Sequence, residues 1–280
     1  MLRTFLFLPI LLLLLVGCGS LEKEIDIELD TYESRLVVEA YLEPGKPYNL
    51  LLSRSTGFFS PIDLENPLES VVQQLESGAE VRIVHRGDTI DLQNQLRFDD
   101  ESRQFANYVS SEFVPLHFEE PFQLLITTTN GESANASTIL QTPFPIDSVV
   151  IQKQPEDTLY RVLTYYTDNP DRENFVRRIL HVNNLDSIDQ DFITDDRFVE
   201  SPVVAFGTGY SYSSGDTLIN TLYHIDQAYY DFLQSAFGAL SANGNPFAQP
   251  GQIQSNISGS HQPIGIFTGL SYDRVYSVIP

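Results

Sequence analysis

Residues 35–42 read RLVVEAYL, and residues 43–47 follow as EPGKP. Side chains alternate between the two faces of an extended chain, so Leu36, Val38, Ala40 and Leu42 share one apolar face. Pro44 and Pro47 fix φ, and Gly45 tolerates a positive φ, which makes 43–47 a turn. Residues 48–53 then read as the return strand of a hairpin. The same signature recurs downstream, with short strands expected at 79–85, 88–93, 105–112, 120–128 and 136–141. Short strands at this spacing, separated by turn residues, point to a mainly β chain opening with an antiparallel sandwich of immunoglobulin or fibronectin type. Upstream, 24–30 (EIDIELD) alternates acid and aliphatic and reads as an opening edge strand.

Residues 57–78 break this rhythm. They read as a long loop with a short helix near 68–75, and Phe58 and Phe59 are either a recognition tip or a cover for the open end of the core. At 142–146 the sequence TPFPI places two prolines in an extended stretch, a stiff connector that continues neither helix nor sheet. It separates an expected sandwich domain at 31–142 from a second β-rich domain at 143–280. In the latter, strands are expected at 146–153, 158–167, 174–184, 197–206, 216–225, 263–270 and 273–279. Ile225, Tyr229, Phe232, Leu233, Ala236 and Leu240 recur at helical spacing, which predicts one amphipathic helix near 226–237, with Asp226 as its cap and Gly238 at its end.

The first 17 residues carry Arg3 and then an apolar run from Phe5 to Val16, the form of a secretory signal peptide. That run is too short to span a bilayer, which takes roughly 20 apolar residues. It ends in Leu15-Val16-Gly17-Cys18, which resembles a bacterial lipobox, so Cys18 reads as the lipidated first residue of the mature chain. The alternative is an ordinary cleavage site with Cys18 left as a free thiol. Residues 18–30 would then be the lipid-anchored N-terminus and opening strand, and the protein would sit on the outer membrane, facing the cell surface or the periplasm. Cys18 is the only cysteine, so the chain holds together by packing and not by disulfides.

The sequence has 38 acidic and 16 basic residues, a formal charge of −22. Such a surface repels phosphates and excludes nucleic acid as a partner; it repels an anionic membrane surface too, leaving the N-terminal lipid as the contact with membrane.

Motifs for catalysis are missing. The five histidines, His85, His117, His181, His224 and His261, lie singly, with no pair one helical turn apart, and each reads as a strand or loop residue. Neither a phosphate-binding glycine loop nor a Gly-x-Ser-x-Gly elbow is present. No catalytic residue, metal ligand or cofactor is therefore expected. The acids at 168–171 and 186–196 lack the spacing of a calcium loop and read as solvated turns. Residues 209–215 (GYSYSSG) carry Tyr210 and Tyr212, suited either to stacking on a glycan or peptide ligand or to a hairpin end. Asp followed by Ser or Thr and an aliphatic residue recurs around Thr89, Ser148, Thr158, Ser187 and Thr217. That pattern is similar to the O-glycosylation acceptor of exported Bacteroidota proteins, and turns entering strands read the same way.

Cys18 with acids behind it, residues 36–42, Thr142-Pro143 before Ile146-Asp147-Ser148-Val149, Asn174-Phe175, Asn245-Pro246-Phe247, Ser255-Asn256-Ile257 and Gly265-Ile266-Phe267 together resemble the Bacteroidota lipoproteins with domain of unknown function 4249. The resemblance covers the mature chain and brings no catalytic motif. It implies genomic company with TonB-dependent outer-membrane receptors. The expectation is an outer-membrane-anchored accessory lipoprotein, non-enzymatic, that binds a ligand or docks on such a receptor. The alternatives are a surface hydrolase using a carboxylate pair and a structural adhesin or envelope protein.

Overall fold

The computed structural model describes residues 33–57, 66–99, 104–197, 201–242 and 252–280. The expected signal peptide at 1–17, Cys18, the expected strand at 24–30, Phe58 and Phe59 lie outside the described residues.

The chain is mainly β, as the alternation requires. The opening hairpin is β1 (Leu36–Leu42) and β2 (Pro47–Arg54), with Leu36, Val38, Ala40 and Leu42 all buried. A short helix, α1 (Pro67–Gln73), starts with proline at its first turn, where no intrahelical N–H is required. The chain continues through β3 (Glu80–His85), β4 (Asp88–Asp99), β5 (Gln104–Phe113), β6 (Pro121–Thr127) and β7 (Ser133–Ile139). After 142–146 come β8 (Ile146–Lys153), β9 (Tyr160–Thr167), β10 (Phe175–Val182), β11 (Ile188–Asp195), β12 (Val203–Gly207) and β13 (Thr217–Ile225). The helix α2 (Gln227–Ala242) is followed by β14 (Ser258–Gly259), β15 (Ile264–Gly269) and β16 (Ser271–Val278).

The expected sandwich strands join in one nine-stranded sheet, ordered β14-β7-β6-β3-β4-β5-β2-β1-β15. Its two end strands are near neighbours in sequence yet pair with β7 and β1 at opposite ends of the order, so the sheet curls nearly closed. Its inner faces play the part of a sandwich's two layers, around Val38, Leu50, Leu52, Ile83, Tyr108, Phe122, Leu124 and Phe267. The chain thus leaves this sheet through 142–146 and returns to it at 258–269.

The remaining strands form a four-stranded sheet, β11-β10-β13-β16, and a three-stranded sheet, β12-β9-β8. They face each other across two small clusters, Phe144, Tyr166, Val176, Phe206 and Leu222, and Val162, Leu180, Tyr212, Leu218 and Ile279. Arg178 is buried between them and donates to Gln190 Oε1 and Asn220 Oδ1, both at 2.9 Å.

Helix α2 forms where its apolar spacing predicts. Asp226 Oδ1 accepts from the Tyr229 N–H at 2.8 Å, capping the first turn. The helix runs past Gly238 to Ala242, so Gly238 is not its end. Gly238 keeps an ordinary negative φ, and a glycine inside a helix costs only about 1 kcal/mol relative to alanine. The segment 186–196, expected as solvated turns, contains the edge strand β11 along β10.

Candidate functional site

The alternation that builds the barrel also builds a cleft. Residues of β1 that do not face the barrel core, Glu39 and Tyr41, point outward, as do Asn49 and Leu51 of β2. Strand β10 is buried on both faces. Val176, Arg178 and Leu180 enter the small sandwich, while Arg177, Ile179 and His181 face the outer side of the barrel. Between the two surfaces lies a cleft of about 690 Å³, also lined by Tyr223, Tyr229 and Arg274.

Its aromatic wall is fixed by packing and hydrogen bonds. Tyr41 and Tyr229 meet edge to face at 5.9 Å, and Tyr223 lies 5.0 Å from Tyr272. Arg177 grips Asp191 through two hydrogen bonds of 2.9 and 2.6 Å and donates to the Tyr229 hydroxyl at 2.6 Å. Arg274 donates to Thr221 Oγ1 at 2.9 Å and lies over the Tyr272 ring. Both guanidinium groups are thereby held in place.

Three polar groups of the cleft contrast with this wall. Burial raises the Glu39 carboxyl above its ordinary value. Asn49 Oδ1 and His181 Nδ1 are buried and have no protein partner. Burial, and then the Arg274 cation, push the His181 imidazole below its ordinary value, which favours the uncharged ring. Buried polar atoms are nearly always hydrogen-bonded, and a group of unpaired ones at a cavity wall marks a surface suited to a polar ligand.

A smaller concavity of about 500 Å³ is lined by Asp168, Arg172, Asp196 and Arg197, among others. Here the two acidic segments read as solvated turns come together. Asp168 is buried, and Asp196 Oδ2 accepts from the backbone and side-chain amides of Asn174, both at 2.9 Å. Burial, and then the neighbouring Asp196 charge, raise the Asp168 carboxyl above its ordinary value of 3.8. A carboxyl raised in the fold costs stability once pH climbs above its unfolded value, and the full cost is reached above its native value. Asp168→Asn is therefore expected to raise the melting temperature by a few degrees at neutral pH, with the gain vanishing in melts near pH 3. A variant that melts with wild type at pH 7 contradicts this.

The other residues singled out in the sequence are dispersed. Tyr212 is not part of a binding loop: it is buried in the small sandwich, and its hydroxyl donates to Asp189 Oδ2 at 2.7 Å. Tyr210 is half-buried beneath the Arg161 guanidinium. Thr89, Ser148, Thr158, Ser187 and Thr217 all sit at strand entries; the first four are exposed and Thr217 is half-buried. The histidines do not all lie singly. His85 and His117 are in contact, and together with Glu120 they place three potential ligand atoms within 4.8 Å of one another.

Fold and cleft define a mainly β protein in which a nearly closed barrel and a small sandwich share a polar, tyrosine-walled cleft. By sequence the chain belongs to the family of the domain of unknown function DUF4249, whose profile matches residues 22–275. No protein of curated function matches it.

Proposed function

We propose that this protein is a lipid-anchored outer-membrane binding protein that takes a polar ligand, a glycan or a peptide, into the cleft and works beside a TonB-dependent receptor. The observation that carries this reading is that two buried polar atoms without a protein partner, Asn49 Oδ1 and His181 Nδ1, line one cleft with Glu39 and the tyrosine wall of Tyr41, Tyr223 and Tyr229. Tyrosine rings offer flat apolar faces to the C–H surface of a sugar or to a peptide side chain, while unpaired polar groups orient its hydroxyls or amides. The leader ending in Cys18 supports the anchor, and lipid, not surface charge, holds so acidic a chain at a membrane.

The test is binding of a glycan and peptide panel to the full-length protein in detergent, followed by titration of each hit against Glu39→Gln and Asn49→Ala. Each variant is expected to weaken binding about tenfold, the loss that follows removal of one buried hydrogen bond. A panel with no hit, or hits that bind both variants as tightly as wild type, overturns the cleft as the binding site.

A further inference from the structure

We infer that His85, His117 and Glu120 form a binding site for a divalent transition metal of the zinc class. These residues share no position with the cleft, and the site stands whether or not the cleft takes a ligand.

His85 ends β3 and is directly opposite Phe122 of β6. Its ring is buried and stacked on Phe122, with centroids 3.8 Å apart and planes within 6°. Nδ1 lies 3.1 Å from the Pro121 carbonyl oxygen. A carbonyl only accepts, so Nδ1 carries the proton and Nε2 presents its lone pair in a fixed direction. An imidazole oriented through its other nitrogen by a backbone carbonyl is the arrangement that metal-ligating histidines use.

That lone pair faces His117. His85 Nε2 and His117 Nδ1 are 2.9 Å apart, and the rings stack with centroids at 5.2 Å. Two nitrogens so placed reach a single ion at Zn–N distances of about 2.0–2.1 Å after a small widening. Glu120 adds a carboxylate oxygen, with all three ligand atoms within 4.8 Å of one another. Two imidazoles and one carboxylate suit zinc and its neighbours in the first transition row, not calcium or magnesium, which prefer all-oxygen shells.

Arg86 competes for this site. Its Nε lies 3.0 Å from Glu120 and its Nη1 is 3.4 Å from His117 Nε2. With the guanidinium in place, His117 donates from Nδ1 to His85 Nε2 and accepts from Arg86 at Nε2. Metal uptake needs the other tautomer of His117: the proton leaves Nδ1, another is taken at Nε2 by exchange with solvent, and Nδ1 then ligates. Arg86 must also release Glu120. It is free to do so, because its side chain is 54% exposed and it sits at positive φ in the two-residue turn Arg86-Gly87. A guanidinium on the carboxylate holds the charge in balance until a cation replaces it.

Zinc titration of full-length, chelator-stripped protein in detergent tests this, by calorimetry and by the visible spectrum of added cobalt. One zinc per chain and a tetrahedral cobalt spectrum are expected. His117→Ala and Glu120→Gln, on partly exposed side chains in the β5–β6 connection, are each expected to weaken binding by about tenfold or more, whereas Arg86→Ala tightens it. His85→Gln should abolish binding, but its buried position also affects folding, so the two loop variants decide. No stoichiometric uptake by either wild type or Arg86→Ala overturns the site, and so does uptake that His117→Ala leaves unchanged.

Discussion

Gly265→Ala is expected to undo the closure of the barrel. Strand β15 runs parallel to β1 with Gly265 opposite Val38. A Cβ on Gly265 would lie 2.8 Å from both the carbonyl carbon and the nitrogen of Val38, and closer still to its oxygen. These are backbone atoms of a buried strand and cannot turn aside as a side chain does. The φ of Gly265 is +123°, in a region that favours glycine, so the methyl group also strains its own backbone. The cheapest relief is detachment of β15, which uncovers Phe267 in the barrel core and Ile266 against α2. Full burial of such side chains is worth about 1.5–3 kcal/mol each, so detachment costs several kcal/mol out of a total stability of about 5–15 kcal/mol. Low yield, a large fall in melting temperature and chymotryptic cleavage near Phe267 are expected. Gly238→Ala is the matched control: it sits on exposed helix with open space around its Cβ position, and should stabilise by about 0.5–1 kcal/mol. A Gly265→Ala protein that melts within a degree or two of wild type would sink this account of closure.

The position of Gly265 shows where sequence reading stops. Alternation in 36–42 reveals which side chains of β1 enter a core, and the strand and helix positions that follow from such patterns mostly hold. Alternation does not say which sheet a strand joins. Nothing in 264–269 announces that it pairs with β1 more than 220 residues earlier, and that return is what curls the sheet. The cleft is hidden for the same reason, because Glu39 and Asn49 come from the nine-stranded sheet and His181 from the four-stranded one, and they line one cleft only once β10 is buried on both faces. Strand β11 reads IDQDFITD, and its acids suggested solvent. It is in fact an edge strand held by backbone pairing with β10 and by the Arg177–Asp191 ion pair. His85 and His117 stand 32 positions apart, one on a strand end and one in a connection, so no spacing motif brings them together.

Asn107→Ala is expected to cost about 3–5 kcal/mol, more than its few atoms suggest, because its side chain completes the sheet where backbone pairing lapses. Regular β2–β5 pairing covers Asn49 opposite Val109 and Leu50 opposite Tyr108. Beyond it, the Asn107 amide substitutes for a strand neighbour. Its Oδ1 accepts from the Leu52 N–H at 2.7 Å, and its Nδ2 donates to the carbonyls of Leu52 and Glu76, both at 2.9 Å. Asn107 itself is buried, and Leu52 is fully so. Truncation strips the Leu52 N–H of its partner and the Glu76 carbonyl of a donor, and leaves a small void beside them. Each buried group left unsatisfied costs about 1–3 kcal/mol. The Leu52 carbonyl is spared, since it also accepts from the Glu76 N–H at 3.0 Å. Asn107→Asp separates hydrogen bonding from volume. The carboxylate keeps the acceptor for Leu52 N–H but turns negative charge on two carbonyl oxygens, so at neutral pH it should be at least as damaging as alanine. That charge raises the native-state pKa of the new carboxyl above its unfolded value, so its cost is present at neutral pH and relieved as pH falls through the native value. Protonation returns one donor. Urea unfolding of the two variants across pH 4–7 should therefore show the aspartate penalty shrinking towards acid while the alanine penalty stays level relative to wild type. Parallel pH profiles would mean that packing, and not this amide, holds β5 against β2.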